Sequence, residues 1–415
     1  MISSYKPISL LFGGNKLNTG VVKHFHDQGY DVVVVDWNET PDISGDLHLQ
    51  IDIKDSTAII AELSIRKLLP RVRMGYTSID VAVPSLAHVL KICGLKVNSE
   101  AGLKNAFSKS RQTKIWQDAH ILNRQADSYS VWDTAIYELV KGNKVIIKPD
   151  NAASSRGITV LNKGCSCDEA HKAFDKAIAN ATNNIVVVEE FVEGTEYTVE
   201  MLGDGAGNVA VYGVSKKYHT QNTVNNKIAV KLHYNAVSNE LQRQISEVAI
   251  SCYKALSFSC SLGHLEIIRK ADGTLSPVEI GARSSGYIAS DLVDAVSGRS
   301  YLKDLEQVYN GGSVRNGLMS QTNNAAMYYF YDIPAGTIIR NNVTLLDFCD
   351  KSIRSLASDT RNLFVGQQVR NINNDNERWG YEILVGDKKT LTAEHIFDAE
   401  QKMISAISKG ENQSG

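Results

Sequence analysis

The stretch Gly263-His264-Leu265-Glu266-Ile267-Ile268-Arg269-Lys270-Ala271-Asp272-Gly273-Thr274-Leu275-Ser276-Pro277-Val278-Glu279-Ile280-Gly281-Ala282-Arg283 sets two apolar alternating runs around an Asp-Gly pair. Asp-Gly in that setting predicts a hairpin closed by a two-residue type I′ turn. With Asp272-Gly273 as the turn, Glu266 stands opposite Glu279, His264 stands opposite Gly281, and period two adds Arg283 to the same face. Direct partners have Cβ atoms about 4.5–5.5 Å apart, so two carboxylates would lie side by side. They repel unless a proton or a divalent cation lies between them, and hard oxygen donors suit Mg²⁺ shared with phosphate groups. Arg283 could neutralise charge on a transferred phosphoryl group or a tetrahedral intermediate. The ordinary alternative is a glutamate bent to solvent, or a register slipped by a bulge.

Two further segments carry usable chemistry. Lys148 ends the apolar run Lys144-Val145-Ile146-Ile147-Lys148, and the small polar run Asn151-Ala152-Ala153-Ser154-Ser155-Arg156-Gly157 follows it. A lysine, two hydroxyls, an arginine and loop N–H groups suit phosphate oxygens. Val186-Val187-Val188-Glu189-Glu190-Phe191-Val192-Glu193-Gly194-Thr195-Glu196 leads a buried strand into an acidic connector. There the Phe191-Val192 main chain could read an adenine edge, and a carboxylate a few residues on could bond a ribose. Taken singly, the first segment is a solvated strand-end lysine with a turn, and the second an acidic turn between strands.

These side chains need a scaffold, and the rest of the chain predicts one. Ile8 to Phe12 and Asp31 to Asp36 read as buried strands flanking a helix over Lys16 to Gln28, the opening of a parallel α/β sheet. The glycine run Gly13-Gly14-Asn15-Lys16-Leu17-Asn18-Thr19-Gly20 does not match GxGxxG, and no GxxxxGK[ST] occurs. A structural Rossmann-like layer is therefore expected rather than a dinucleotide site. From about Ala106 the pattern becomes α+β, with a run of strands from Tyr197 to His233 and a helix capped by Ser238 whose apolar stripe is Leu241, Ile245, Val248, Ala249 and Cys252. A third region begins near Ala325 and ends in a helix from Ala393 to about Ser408.

The chain has 415 residues with 44 Lys plus Arg, 46 Asp plus Glu and a formal net charge of −2. That balance offers polyanions no attraction, so nucleic acid is not expected as a partner. No apolar run approaches the roughly 18–20 residues of a membrane span. Six cysteines without CxxC give neither a disulfide framework nor a zinc site. The expectation is a soluble, cytoplasmic protein with no cleaved signal peptide and no membrane partner.

Taken in order, Lys109, Lys148-Pro149, Ser154-Ser155-Arg156-Gly157, Glu189-Glu190-Phe191-Val192-Glu193-Gly194, Glu196, Glu266 and Glu279-Ile280-Gly281-Ala282-Arg283 resemble the ATP-grasp superfamily. The continuation Ser284-Ser285-Gly286 makes the last motif similar to that of the carboxylate–amine ligase branch, which includes the L-amino-acid ligases. The resemblance implies an α/β pre-ATP-grasp domain over 1–105 and an α+β ATP-grasp fold over 106–320, with a small lobe to about 192 and a large lobe from about 193. A small C-terminal subdomain over 321–415, marked by Pro334-Ala335-Gly336 and Gly366-Gln367-Gln368-Val369, completes it. It further implies ATP held by Lys109, Lys148, the Ser154 to Gly157 loop, the Glu189 to Val192 connector and Glu196. Mg²⁺, with Mn²⁺ as the substitute, would sit on Glu266 and Glu279, Arg283 and Lys148 would be catalytic, and His264, Ser284, Ser285 and Gly286 would face substrate. The implied reaction joins a small-molecule acid to an amine through an acyl phosphate, and the assembly that the resemblance favours is a homodimer. A bicarbonate-activating carboxylase step and a nucleotide-binding regulator without turnover are the alternatives. The chain departs from many relatives at Gly281, where they carry an Asn that completes a metal shell; water is the expected replacement.

Overall fold

The computed structural model describes residues 5–122, 124–152, 156–220, 228–286, 289–372 and 377–408. Among these residues β1 (Ile8–Phe12), β2 (Asp31–Asp36), β3 (Leu47–Gln50) and β4 (Val72–Thr77) form a parallel sheet in the order β3-β2-β1-β4. β1 and β2 are buried along their whole length, which is why their sequences are apolar without alternation. The glycine pair serves this packing. Gly14 donates its N–H to Asp36 Oδ2 at 2.7 Å, and a Cβ on it would lie 2.6 Å from the Ile43 carbonyl oxygen. The donor a dinucleotide phosphate would want is thus spent on the protein's own second strand, as the structural reading expects.

A second sheet combines β5 (Ala126–Tyr129), β6 (Val145–Pro149), β7 (Thr159–Leu161) and β8 (Val186–Glu190), antiparallel in the order β5-β8-β6-β7. Val145, Ile147, Val186 and Val188 pack on Ile136, Ala170 and Phe174 from the helices Thr134–Gly142 and Cys167–Ile178. The second of these starts at a capping box in which Ser166 and Glu169 satisfy each other's backbone donors.

The large sheet holds β9 (Thr195–Gly203), β10 (Val209–His219), β11 (Ala229–Tyr234), β12 (Ser261–Arg269), β13 (Leu275–Gly281), β14 (Gly317–Leu318), β15 (Asn324–Tyr331), β16 (Arg354–Asp359) and β17 (Trp379–Asp387). Its order is β13-β12-β9-β10-β11-β15-β17-β16, with β14 alongside β10. Because β15 pairs with β11, the sheet runs continuously through the segment around residue 320. The helix Asn239–Ala255 is capped by Ser238 and lays Ile245, Ala249 and Cys252 against Tyr197, Val199, Met201, Leu265 and Ile267. That contact buries one face of β9 and β12 and leaves their other face for polar groups. No described helix is long and apolar enough to cross a membrane.

The β12–β13 hairpin reaches the expected pairing by an unexpected route. The turn is a three-residue loop, not a two-residue one: Lys270 N–H donates to the Thr274 carbonyl at 2.9 Å, Gly273 N–H to the Lys270 carbonyl at 3.0 Å, and Gly273 has φ +89°. Next to the loop Arg269 faces Leu275, Ile268 faces Ser276 and Ile267 faces Pro277. Carried on, that register would set Val278 opposite Glu266 and turn Glu279 to the other face. A bulge at Val278 inserts one residue, and beyond it Glu266 faces Glu279, Leu265 faces Ile280 and His264 faces Gly281. The longer loop and the bulge cancel.

Candidate active site

Period two places a mostly polar set of side chains from four strands on one face of the large sheet, with Ile268 its apolar member. β9 offers Glu196, Thr198 and Glu200, β12 offers Ile268, Glu266 and His264 opposite them, β13 adds Glu279, and β10 adds Ser215, Lys217 and His219. Lys217 reaches both Glu196 Oε1, at 2.5 Å, and Glu266 Oε1, at 3.0 Å. His219 Nε2 lies 3.0 Å from Glu196 Oε2. Burial, with Glu196 and Glu279 nearby, outweighs Lys217 and raises the Glu266 carboxyl above its ordinary value. Glu279 behaves oppositely: burial acts to raise it, but Lys109, Lys148 and Arg283 overcome that and bring it down to about 2. Lys217 is not a solvated strand-end charge. Instead burial acts to strip its proton and the two carboxylates more than restore it.

Lys109 reaches the carboxylates from a different element. It opens the helix Lys109–Asp118, whose cap is Ser108, and its Nζ lies 2.9 Å from Glu279 Oε2. Asp150, just beyond β6, accepts from Ser110 N–H at 2.6 Å and from Asn183 at 2.6 Å, while its carbonyl takes the Lys109 N–H at 3.2 Å. The helix carrying Lys109 is thereby tied to the strand carrying Lys148. Lys148 is buried and meets Glu189 Oε1 at 2.5 Å. Arg124, also buried, donates to Glu189 Oε2 at 2.9 Å, to Ser276 Oγ at 2.8 Å and to the Pro277 carbonyl at 2.7 Å. Arg124 therefore links the small sheet to the β13 segment next to the bulge.

The remaining expected residues fall as follows. Both Glu189 oxygens are committed to Lys148 and Arg124, so this side chain supports the lysine instead of being open to a nucleotide. The Phe191 N–H, expected to be open for an adenine edge, donates to the Lys144 carbonyl at 2.8 Å, and Lys144 Nζ sits 4.4 Å from the Phe191 ring centre. Glu190 and Val192 flank it on the connector. Ser154 and Ser155 lie outside the described residues. Arg156 is exposed, and Gly157 takes φ +74° where a Cβ would meet Asn180 at 2.8 Å. Gly286 is exposed, whereas Ser284 and Ser285 are buried. The Ser284 hydroxyl contacts that of Tyr76 from β4, and Ser285 N–H donates to Glu200 Oε2 at 3.2 Å. Glu200, fully buried, also accepts from His264 Nδ1 at 2.6 Å and from Tyr234 at 3.3 Å. Arg283 pairs with Asp80, which follows β4.

Among the described residues no three His, Cys, Asp or Glu side chains gather to hold a metal ion by themselves. The donor set is two carboxylates, each with an ammonium against it. Such a pair fits a hard cation that takes the rest of its shell from phosphate oxygens and water.

The whole arrangement superposes on the L-amino acid ligase from Bacillus licheniformis with a TM-score of 0.69 and 14% identity, covering 97% of this chain and 98% of that one. Residues 142–291 match the ATP-grasp domain family. This is an ATP-grasp fold. The biotin carboxylase domain of the Hydrogenobacter thermophilus 2-oxoglutarate carboxylase, solved with MgADP and bicarbonate, shares the ATP-grasp architecture at a TM-score of 0.70 and 14% identity over 97% of this chain and 90% of that one. In sequence, the D-alanine–D-alanine ligase of Cupriavidus taiwanensis is 29% identical over 173 residues. That match takes in 39% of this chain and 48% of the ligase, so the chain spans about half the length of that relative.

Proposed function

We propose that the chain is an ATP-dependent ligase that joins a carboxylic acid to an amine, releasing ADP and phosphate. The observation that carries the reading is the convergence of Lys109, Lys148 and Lys217, from three separate elements, on the carboxylates of Glu266 and Glu279. Three ammonium groups match a polyphosphate, and two carboxylates match its cation. In this reading Lys109, Lys148 and Lys217 hold phosphate oxygens, the Glu190 to Val192 connector borders the adenine, and Glu196 takes the ribose. Glu266 and Glu279 would hold magnesium, which when bound screens the charge between nucleotide and acid.

The substrate carboxylate attacks the γ-phosphorus, ADP leaves, and the amine displaces phosphate from the acyl carbon. Positioning and electrostatics supply most of such catalysis. Arg283 lies two residues beyond Gly281 and meets the charge that develops on the acyl phosphate. Residues 1–105 and 321–415 flank this unit as the entry and C-terminal parts, and both substrates are small molecules.

The test is ADP release from ATP with pooled amino acids, sugar acids and amines. Release that needs both an acid and an amine supports the reading. Release driven by bicarbonate and indifferent to amino acids would assign a carboxylase-type step instead, and calorimetry without ATP binding at millimolar Mg²⁺ would remove the enzyme reading.

A further inference from the structure

We infer that Asp80 is the positioning residue for Arg283, so that the first unit of the chain completes the acyl-transfer site; the inference rests on the ligase reading above. Asp80 follows β4 and opens the short helical turn Asp80–Ala82. Its two oxygens accept from Arg283 Nε and Nη2, both at 2.7 Å, while Arg283 Nη1 donates to the Ser284 carbonyl at 2.8 Å. A guanidinium has five N–H donors. Three are spent on aiming the group, and one on each terminal nitrogen stays uncommitted among the described residues.

Gly281 explains how a carboxylate from the first unit gets there. A Cβ at Gly281 would lie 3.2 Å from Asp80 Oδ1 and 3.4 Å from Arg283 Cγ. The room that a side chain on β13 would fill is the room in which the Asp80–Arg283 pair lies. The missing amide at this position is therefore not simply left to water: the space has been given to the group that fixes Arg283. The Tyr76 and Ser284 hydroxyls touch beside it, a second link between β4 and the segment after β13. An arginine held by a bidentate carboxylate has already lost the rotamer freedom it would otherwise lose on reaching the transition state.

The alternative role for Asp80 is as a stand-in for the substrate carboxylate, blocking Arg283 until displaced. The two roles differ in kinetics. Asp80→Asn should lower kcat about 100-fold with ATP affinity by calorimetry unchanged, and Asp80→Glu should restore part of the loss. A wild-type kcat with a lowered KM for the acid would overturn positioning in favour of blocking. Loss of ATP binding together with a lowered melting temperature would overturn it in favour of a purely structural contact. Gly281→Ala keeps both charges and only crowds the pair, so it decides the matter should Asp80→Asn fail to fold: an unchanged kcat contradicts the inference, and a reduced kcat with normal ATP affinity supports it. Failure of the ligase reading is separable, because the wild-type protein would then show no release of ADP dependent on acid and amine.

Discussion

Gln112 binds the backbone of Ile280 in both directions, donating its side-chain amide to the carbonyl at 2.9 Å and accepting the N–H at 3.0 Å. β13 is the outermost strand of the large sheet, and its exposed ladder groups at this point are met by one buried side chain as though by another strand. Gln112 lies one helical turn beyond Lys109, and Ile280 is the residue after Glu279. The contact therefore sets the lysine–glutamate spacing, while Arg124 holds the other side of the Val278 bulge.

Gln112→Leu should leave the Ile280 donor and acceptor unpaired and destabilise the protein by about 2 kcal/mol in urea unfolding. It should also weaken ATP binding, since Lys109 loses its register with Glu279. Unchanged ATP affinity would mean that the helix is positioned by other contacts.

Lys148→Ala should weaken ATP binding far more than Lys141→Ala, whose side chain pairs with Glu138 on the surface. Lys144 is not a neutral comparison, because it pairs with Glu193 and covers the Phe191 ring. Calorimetry giving equal losses for Lys148 and Lys141 would show that Lys148 serves only to neutralise Glu189.

Lys217→Met should leave Glu196 and Glu266 buried with one cation fewer and cost about 3 kcal/mol. The Lys217 pKa is raised in the folded state, so its contribution is fully present at every pH below the ordinary value of 10.5. In the variant, acid relieves the strain by protonating Glu266, whose pKa is already raised. The drop in melting temperature should therefore be larger at pH 8 than at pH 5. Equal and small drops would mean a solvated lysine.

His233 supplies a pH dependence away from the site. It is buried, its Nε2 donates to the Leu391 carbonyl at 3.0 Å, and its Nδ1 is buried without a partner among the described residues. Burial brings its pKa from 6.5 down to about 4. The folded form thus favours the neutral ring, and the stability this gives above pH 6.5 is lost as pH falls toward 4. Between pH 7 and pH 4.5 the wild-type protein should lose on the order of 2–3 kcal/mol more than His233→Gln. Parallel pH profiles for the two proteins would contradict this.

Elements set by near neighbours are largely legible in the sequence, with the Asp272-Gly273 loop an exception. The strands Ile8 to Phe12 and Asp31 to Asp36, the Ser238 cap and the final helix come out as expected, because each depends on neighbours within a few residues. The Glu266–Glu279 pair was read correctly for a reason only half right, since Asp-Gly also serves in a three-residue loop and a bulge leaves no composition signal. Arg124, Gln112, Asp80 and Glu200 escaped, their partners Glu189, Ile280, Arg283 and Ser285 being 65, 168, 203 and 85 residues away. Lys217 and Glu200 carried a usable hint, alternation on β10 and β9 that sets them on the face of Glu266. The hint needs the strand order before it means anything.

The most direct measurement is ATP-dependent turnover and calorimetric Mg²⁺–ATP binding for Glu266→Gln and Glu279→Gln, beside the wild type with an acid and an amine supplied. The account predicts that each substitution abolishes acid- and amine-dependent ADP release at any Mg²⁺ concentration while the melting curve stays cooperative. Near-wild-type turnover in both variants would contradict it.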